Sequence, residues 1–407
     1  MKATVFNYQI VKDPEIFEQN RLPAHSDHLF YRNRPGDCEY CLNGLWKFAY
    51  AKNYEQSIKG FEAPDYDCHG WDQIPVPAHI QLQGYDTPQY VNTQYPWDGH
   101  EDVRPGQIPV RYNPTASYVK YFDVPQHMKG LPLFISFRGV ESAFALWLNG
   151  QYVGYSEDSF TPADFDLTPY ITEGENKLAV QVFKWCSGSW CEDQDFFRFS
   201  GIFRDVVLYV RPACHIEDLR IRTVLDDTYR EASLELDLKT GTAGDCQAEI
   251  TLTDAEGKKA AGLMIESGKI RDGGAISMAV AAPHLWSAED PYLYDLKIEL
   301  RDGSGKTAET VTEKVGFRRF EIRDAVMCLN GKRIVFKGVN RHEFCAESGR
   351  VIDDEIILKD LVTMKRNNIN AVRTSHYPNR TALYRLCDRL GLYVIDETNL
   401  ETHGSWD

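Results

Sequence analysis

The chain has 407 residues, of which 43% are hydrophobic and 26% charged, and a formal net charge of -15. Its length predicts roughly two to four domains, and its composition is that of a folded chain rather than a disordered one. The acidic balance and the lack of a basic run exclude a nucleic-acid partner, because phosphate affinity comes from clustered Lys and Arg.

No apolar stretch reaches the roughly 18 residues of a membrane span, and Met1-Lys2-Ala3-Thr4-Val5-Phe6 carries no signal-peptide core. A soluble, cytoplasmic protein with no membrane partner is expected. The ten cysteines lack paired spacing. Cys38 and Cys41 lie close together, but no second C-x-x-C follows, so reduced thiols are expected rather than a zinc site.

Residues 1–39 carry Pro, Arg and His without periodicity and read as an extended arm lying on the next domain. From 40 to 211 the chain is all-β in character. Leu133–Val140 and Ala143–Leu148 are rich in aromatic and branched residues, and Asn149-Gly150 supplies the two positive-φ positions of a type I′ hairpin. Gln151–Tyr155 is the return strand, and Lys177–Phe183 and Asp205–Val210 follow. Short strands and frequent turns predict a jelly-roll β-sandwich.

Between 212 and 316 the alternation is cleaner. In Ala232–Lys239 every second residue is apolar, and Leu296–Leu300 repeats the pattern before the turn at Arg301–Gly305. One buried and one wet face per sheet predict a smaller, immunoglobulin-like sandwich, with no polar constellation and hence a structural role.

From about 317 the period changes. Arg333–Val339 reads as a strand. Asp353 or Asp354 caps a helix carrying Ile356, Ile357, Leu361 and Met364 on one face. The strand Ile369–Arg373 comes next, then a helix from Thr381 to Arg389 stopped by Gly391, then the strand Leu392–Asp396. Strand, helix, strand, helix, strand implies parallel pairing through right-handed crossovers. Residues 317–407 therefore read as the first three strands and two helices of a (β/α)8 barrel, whose catalytic groups sit at the C-terminal ends of its strands.

Polar clusters stand at those ends: Asn340-Arg341-His342-Glu343, Arg373-Thr374-Ser375-His376-Tyr377-Pro378, and Asp396-Glu397-Thr398-Asn399-Leu400-Glu401-Thr402-His403-Gly404. These segments resemble the signatures of family 2 glycoside hydrolases, the last being particular to the β-galactosidase branch. Tyr85-Asp86-Thr87-Pro88, Tyr90-Val91-Asn92, Glu192-Asp193-Gln194-Asp195 and Ser200-Gly201-Ile202-Phe203-Arg204-Asp205 resemble the sugar-binding domain of the same enzymes. The similarity runs in family order from about residue 20 onward.

The resemblance implies retaining hydrolysis of terminal β-D-galactosides such as lactose. That chemistry needs two carboxyl groups about 5 Å apart, one acid/base and one nucleophile. By resemblance both lie beyond Asp407, so this chain by itself is expected to be inactive. His342 and His376 correspond to the pair that bonds galactosyl hydroxyls as positive charge grows on the ring. Asn92 and Asp195 reach the barrel mouth from the jelly roll as substrate-binding groups. Glu401 and His403 resemble magnesium ligands and Asp195 a sodium ligand. Carboxylates suit such hard cations, imidazole less so. Arg373 reads as a structural ion-pair partner. The stretch Gly268–Ala275 looks shorter than the loop that completes a neighbouring subunit's site in some tetrameric members, so tetramer geometry does not carry over. The partners left open are a second copy of the chain and a complementing C-terminal fragment. The rival readings are a non-catalytic carbohydrate-binding module, half of a split enzyme, and, within the family, a β-glucuronidase or β-mannosidase.

Overall fold

The structure is a computed structural model that describes residues 2–242, 246–266 and 275–402. Residues 268–274 of the loop discussed above, and His403, lie outside the described residues. Among the described residues no helix is long and apolar enough to cross a membrane.

The first sandwich sets a seven-stranded sheet against a four-stranded one. Ala143–Leu148, near the middle of the larger sheet, is buried on both faces. Phe144, Leu146 and Leu148 point into the core between the sheets, where they meet Ile135, Phe137 and Leu208. Ala143, Ala145 and Trp147 face outward, into a second apolar layer with Ile10 and Val11 of the N-terminal segment. The two alanines and Ala179 leave room for the ring of Phe6, which packs 5.5 Å from Trp147 and 5.9 Å from Phe183. Such double burial removes the polar alternation of a half-wet strand. Asn149 and Gly150 have φ of 52° and 80° and join Ala143–Leu148 to Gln151–Ser156, as a type I′ turn requires.

The N-terminal segment is more structured than an extended arm. Tyr8–Lys12 forms a 3-10 turn capped by the Asn7 side chain. Glu18–Gln19 pairs with Ser156 and Tyr155 at the edge of the first sandwich. Leu29–Tyr31 pairs with Thr310–Thr312 at the edge of the second. Both pairings are non-local, so no local periodicity announces them.

The second sandwich packs a three-stranded sheet on a five-stranded one. Gln247–Thr253, Ala275–Ala281 and Tyr294–Arg301 alternate in burial along their lengths, and Leu234, Leu236, Ile250, Leu296 and Ile298 form its core. The cysteines depart from expectation here. Cys214 and Cys246 are joined as a disulfide because the Glu231–Thr242 strand folds back on Cys214–Leu225 and delivers the next segment beside Cys214, a neighbourhood that spacing does not reveal.

In the barrel portion Gly338–Arg341, Ala371–Thr374 and Tyr393–Ile395 form a parallel sheet. The helix Asp354–Arg366 is capped by Asp353, which accepts from the Ile356 amide. The helix Thr381–Leu390 ends at Gly391 in the left-handed region. The expected strand Arg333–Val339 is corrected: Lys332–Arg333 closes an antiparallel meander with Val326–Leu329, and the barrel strand begins at Gly338 opposite Ala371. The apolar run across Ile334, Val335 and Phe336 belongs to neither ladder, and Val335 stays exposed. Leu133–Val140 likewise divides: Leu133–Phe137 lies in the four-stranded sheet, whereas Val140–Glu141 pairs with Gly201–Ile202.

Candidate active site

The parallel register sets Arg341 opposite Thr374 and Arg373 opposite Ile395, so the three barrel strands end level with one another. His342, His376 and Glu397 follow those ends directly. The His342 and His376 rings stand 5.4 Å apart at 73°. His376 Nδ1 lies 3.2 Å from Glu397 Oε2 and 3.3 Å from Arg373 Nη2. Arg373 Nε donates to Glu397 Oε1 at 2.7 Å, the ion pair that its place in the sequence suggests. Thr374 Oγ1 receives the Glu397 amide at 3.0 Å and donates to Asp396 at 2.9 Å.

The jelly roll forms the opposite wall. Gln89–Val91 and Phe196–Arg198 pair antiparallel with Phe196 across from Val91, so Asn92 and Asp195 leave the end of that ladder side by side. The Phe196 ring stacks on His342 at 4.5 Å, bringing the ladder's end to the barrel mouth. Asp195 accepts the Tyr90 hydroxyl. Asn92 is exposed, and its side-chain oxygen is taken by the Thr93 amide at 2.7 Å, so it stands at the rim with that oxygen engaged locally.

A third contact locks the walls together. Glu192–Asp193 of the jelly roll runs parallel to Glu401–Thr402 of the barrel segment, with Glu192 opposite Glu401. Asn399 reinforces the junction: it accepts from Gln194 and donates to Glu192 at 2.7 Å and Asp158 at 3.1 Å. This brings Glu401 Oε2 to 3.7 Å from His376 Nδ1.

Burial holds His342 down to about 4, with His376 and Arg350 adding to the effect, so its imidazole is neutral at physiological pH and offers one donor and one acceptor. Burial, then the neighbouring Asp158, pushes Glu192 up to about 8. A neutral imidazole, a carboxylate and an exposed amide arranged round a mouth can exchange hydrogen bonds with neutral hydroxyls. Glu401 is an oxygen donor of the kind magnesium takes. Among the described residues no group of three or more His, Cys, Asp or Glu converges as a metal cage. A cavity of about 650 Å³ lies elsewhere, in the seam lined by His28, Phe30, Arg211 and Arg380.

Phe196, Tyr90, Glu397 and Asn399 were not singled out by sequence reasoning. Each sits within or beside a motif that was read, but only the pairing of strands from different domains shows what it touches.

The end of a jelly-roll ladder thus walls the mouth of a parallel β/α unit, with Asn92, Asp195, His342 and His376 gathered there, in a multidomain β-sandwich and barrel architecture. Comparison with known proteins agrees. Residues 40–212 match the sugar binding domain of glycosyl hydrolases family 2, residues 214–318 match a second model of glycosyl hydrolases family 2, and residues 320–407 match the TIM barrel domain of the same family. The chain belongs to glycoside hydrolase family 2. The β-galactosidase of Halalkalibacterium halodurans is 56% identical over 98% of this chain and 40% of its own length. The β-galactosidase large subunit of Leuconostoc lactis is 43% identical over 98% of this chain and 66% of its own. A β-glycosidase from Bacteroides vulgatus superimposes with a TM-score of 0.70 at 26% identity, covering 89% of this chain and 44% of that one. The chain thus spans two fifths to two thirds of the relatives it matches.

Proposed function

We propose that the protein is a β-galactosidase that hydrolyses terminal β-D-galactosides such as lactose with retention, and that these residues form the wall that orients the sugar. The observation that carries this reading is the meeting of Asp195 with His342 and His376 at one mouth, in a chain whose relatives are named β-galactosidases. The Arg373 cation at that mouth is taken by the Glu397 carboxylate. A uronate would find this guanidinium already paired, which favours a neutral hexoside over a glucuronide. The carboxylate pair that retention needs is proposed to come from other barrel strands. Relatives named large subunits support a further polypeptide as the partner that completes the enzyme.

Magnesium would be held by Glu401 together with His403, and sodium by Asp195. Each would supply fixed positive charge beside the carboxylates.

The test is hydrolysis of 4-nitrophenyl β-D-galactoside against the β-D-glucuronide, by the protein alone and with the C-terminal portion of a relative. A galactoside preference of about 100-fold or more is expected. Preference for the glucuronide, or no turnover in either mixture, sinks the reading. Asp195→Asn should lower kcat/KM about 100-fold through loss of a charged hydrogen bond.

A further inference from the structure

The loop that carries His342 leaves the barrel strand Gly338–Arg341 and runs across the jelly roll. Glu343 accepts from Arg204 at 2.7 Å and from the Arg380 amide at 2.8 Å. Cys345 and Gly349 exchange backbone hydrogen bonds of 2.7 and 2.8 Å, which folds the loop back on itself. Gly349, at φ of 65°, sits against His79, where a Cβ would come within 2.6 Å of the imidazole. The next residue is Arg350.

Arg350 is 1% exposed. Its Nη1 donates to both oxygens of Glu141, at 2.7 and 2.8 Å, and its amide donates to His79 Nε2 at 3.0 Å. Its guanidinium stands 4.5 Å from the centre of Phe196, 4.9 Å from Tyr377 and 5.1 Å from Phe160. The same Phe196 ring receives His342, also at 4.5 Å and within 21° of parallel. A guanidinium held by a buried carboxylate cannot drift, and an aromatic ring against it inherits that fixity.

We propose that Arg350 is a positioning residue for His342, acting through the Phe196 ring that both groups share. Glu141 in the jelly roll fixes the guanidinium, the guanidinium and Tyr377 fix Phe196, and Phe196 sets the plane in which the imidazole meets the sugar. Arg350 touches neither substrate nor reacting atoms. The functional consequence rests on the reading of this mouth as a galactoside site, whereas the geometric one does not.

The substitution Arg350→Met alone would leave Glu141 buried without its counter-ion, so the informative variant is Glu141→Gln with Arg350→Met, beside Phe196→Leu. Two readouts are needed. The first is the split of kcat from KM on 4-nitrophenyl β-D-galactoside, measured with the C-terminal portion of a relative present. The second is the Hε1 resonance of His342 in histidine-labelled protein, assigned by its loss in His342→Gln, which ring current from Phe196 displaces. Both variants should lower kcat about 10- to 100-fold with KM within about twofold and should move the His342 resonance, while thermal stability reports that the fold persists. A folded double variant whose His342 resonance stays at its parental position overturns the proposal, whether or not activity falls, because the effect would then be merely structural. If the parent cleaves no galactoside even with the C-terminal portion of a relative present, the galactosidase reading fails, and the resonance still decides whether Arg350 positions His342.

Discussion

Burial without full compensation marks several single residues, and Glu309 gives the clearest test. It is wholly buried in the second sandwich and accepts the Ile216 amide at 2.7 Å. Burial pushes its carboxyl from the ordinary 4.5 up to about 7, against the smaller opposing effects of that amide and Arg211. Between those values the folded chain keeps a proton that the unfolded chain has lost. Stability from this group is therefore full below about pH 4.5 and falls as pH rises toward 7. Replacing Glu309 with Gln removes the slope. Calorimetry should show the Tm of the variant relative to the parent rising from pH 5 to pH 8, and an unchanged difference would mean that Glu309 is ionised in the fold. Metal removal belongs to the same scale. Chelation should lower galactoside turnover and added Mg²⁺ should restore it, with Glu401→Gln abolishing the restoration.

At the scale of elements, helix ends decide how the barrel unit is held. Asp353 satisfies the Ile356 amide at 2.9 Å, so Asp353→Ala should cost about 1 kcal/mol in urea unfolding. Gly391 does two things at once. Its φ is 76°, and a Cβ there would stand 2.4 Å from the Ala288 carbonyl oxygen of the second sandwich. Lys365 Nζ donates to that same oxygen at 2.8 Å and to Gly391 O at 2.9 Å. The stop of the helix Thr381–Leu390 is thus also an inter-domain contact. Gly391→Ala should destabilise by more than about 1 kcal/mol, and a smaller loss would show that the Ala288 loop gives way.

Across the whole molecule, buried charge and shared strands bind the domains beside aromatic contacts such as Phe160 with Tyr377. Arg204 to Glu343 is a jelly-roll-to-barrel ion pair with side chains 6% and 0% exposed. Removing one partner leaves a charge in a dry interface, so Arg204→Met should cost about 3 kcal/mol or more, with the loop carrying His342 exchanging amide protons faster than in the parent. The N-terminal segment binds the two sandwiches by lending an edge strand to each. Its deletion would bare the outer face at Trp147 and Phe183, and the expected result is dye binding and light scattering at temperatures where the parent is clear.

Local chemistry was legible in the sequence wherever neighbours in the chain are neighbours in space. The hairpin at Asn149-Gly150, the cap at Asp353 or its neighbour Asp354, the helix stop at Gly391 and the alternation of Leu296–Leu300 all follow from backbone preference and side-chain period, which act over a few residues. The polar clusters after the barrel strands were legible for the same reason, since each begins where its strand ends. What escaped is non-local: the division of the run Arg333–Val339 between a meander and a barrel strand, the Cys214–Cys246 disulfide, the two strands of the N-terminal segment and the junction of Glu192–Asp193 with Glu401–Thr402. Each depends on a partner far along the chain, and a strand's own sequence does not say which edge it will meet. The sequence by itself determined the kinds of elements and the residues at their ends. Only the tertiary structure decided that Phe196 lies against His342, because a site walled by two domains exists only once both have folded and docked.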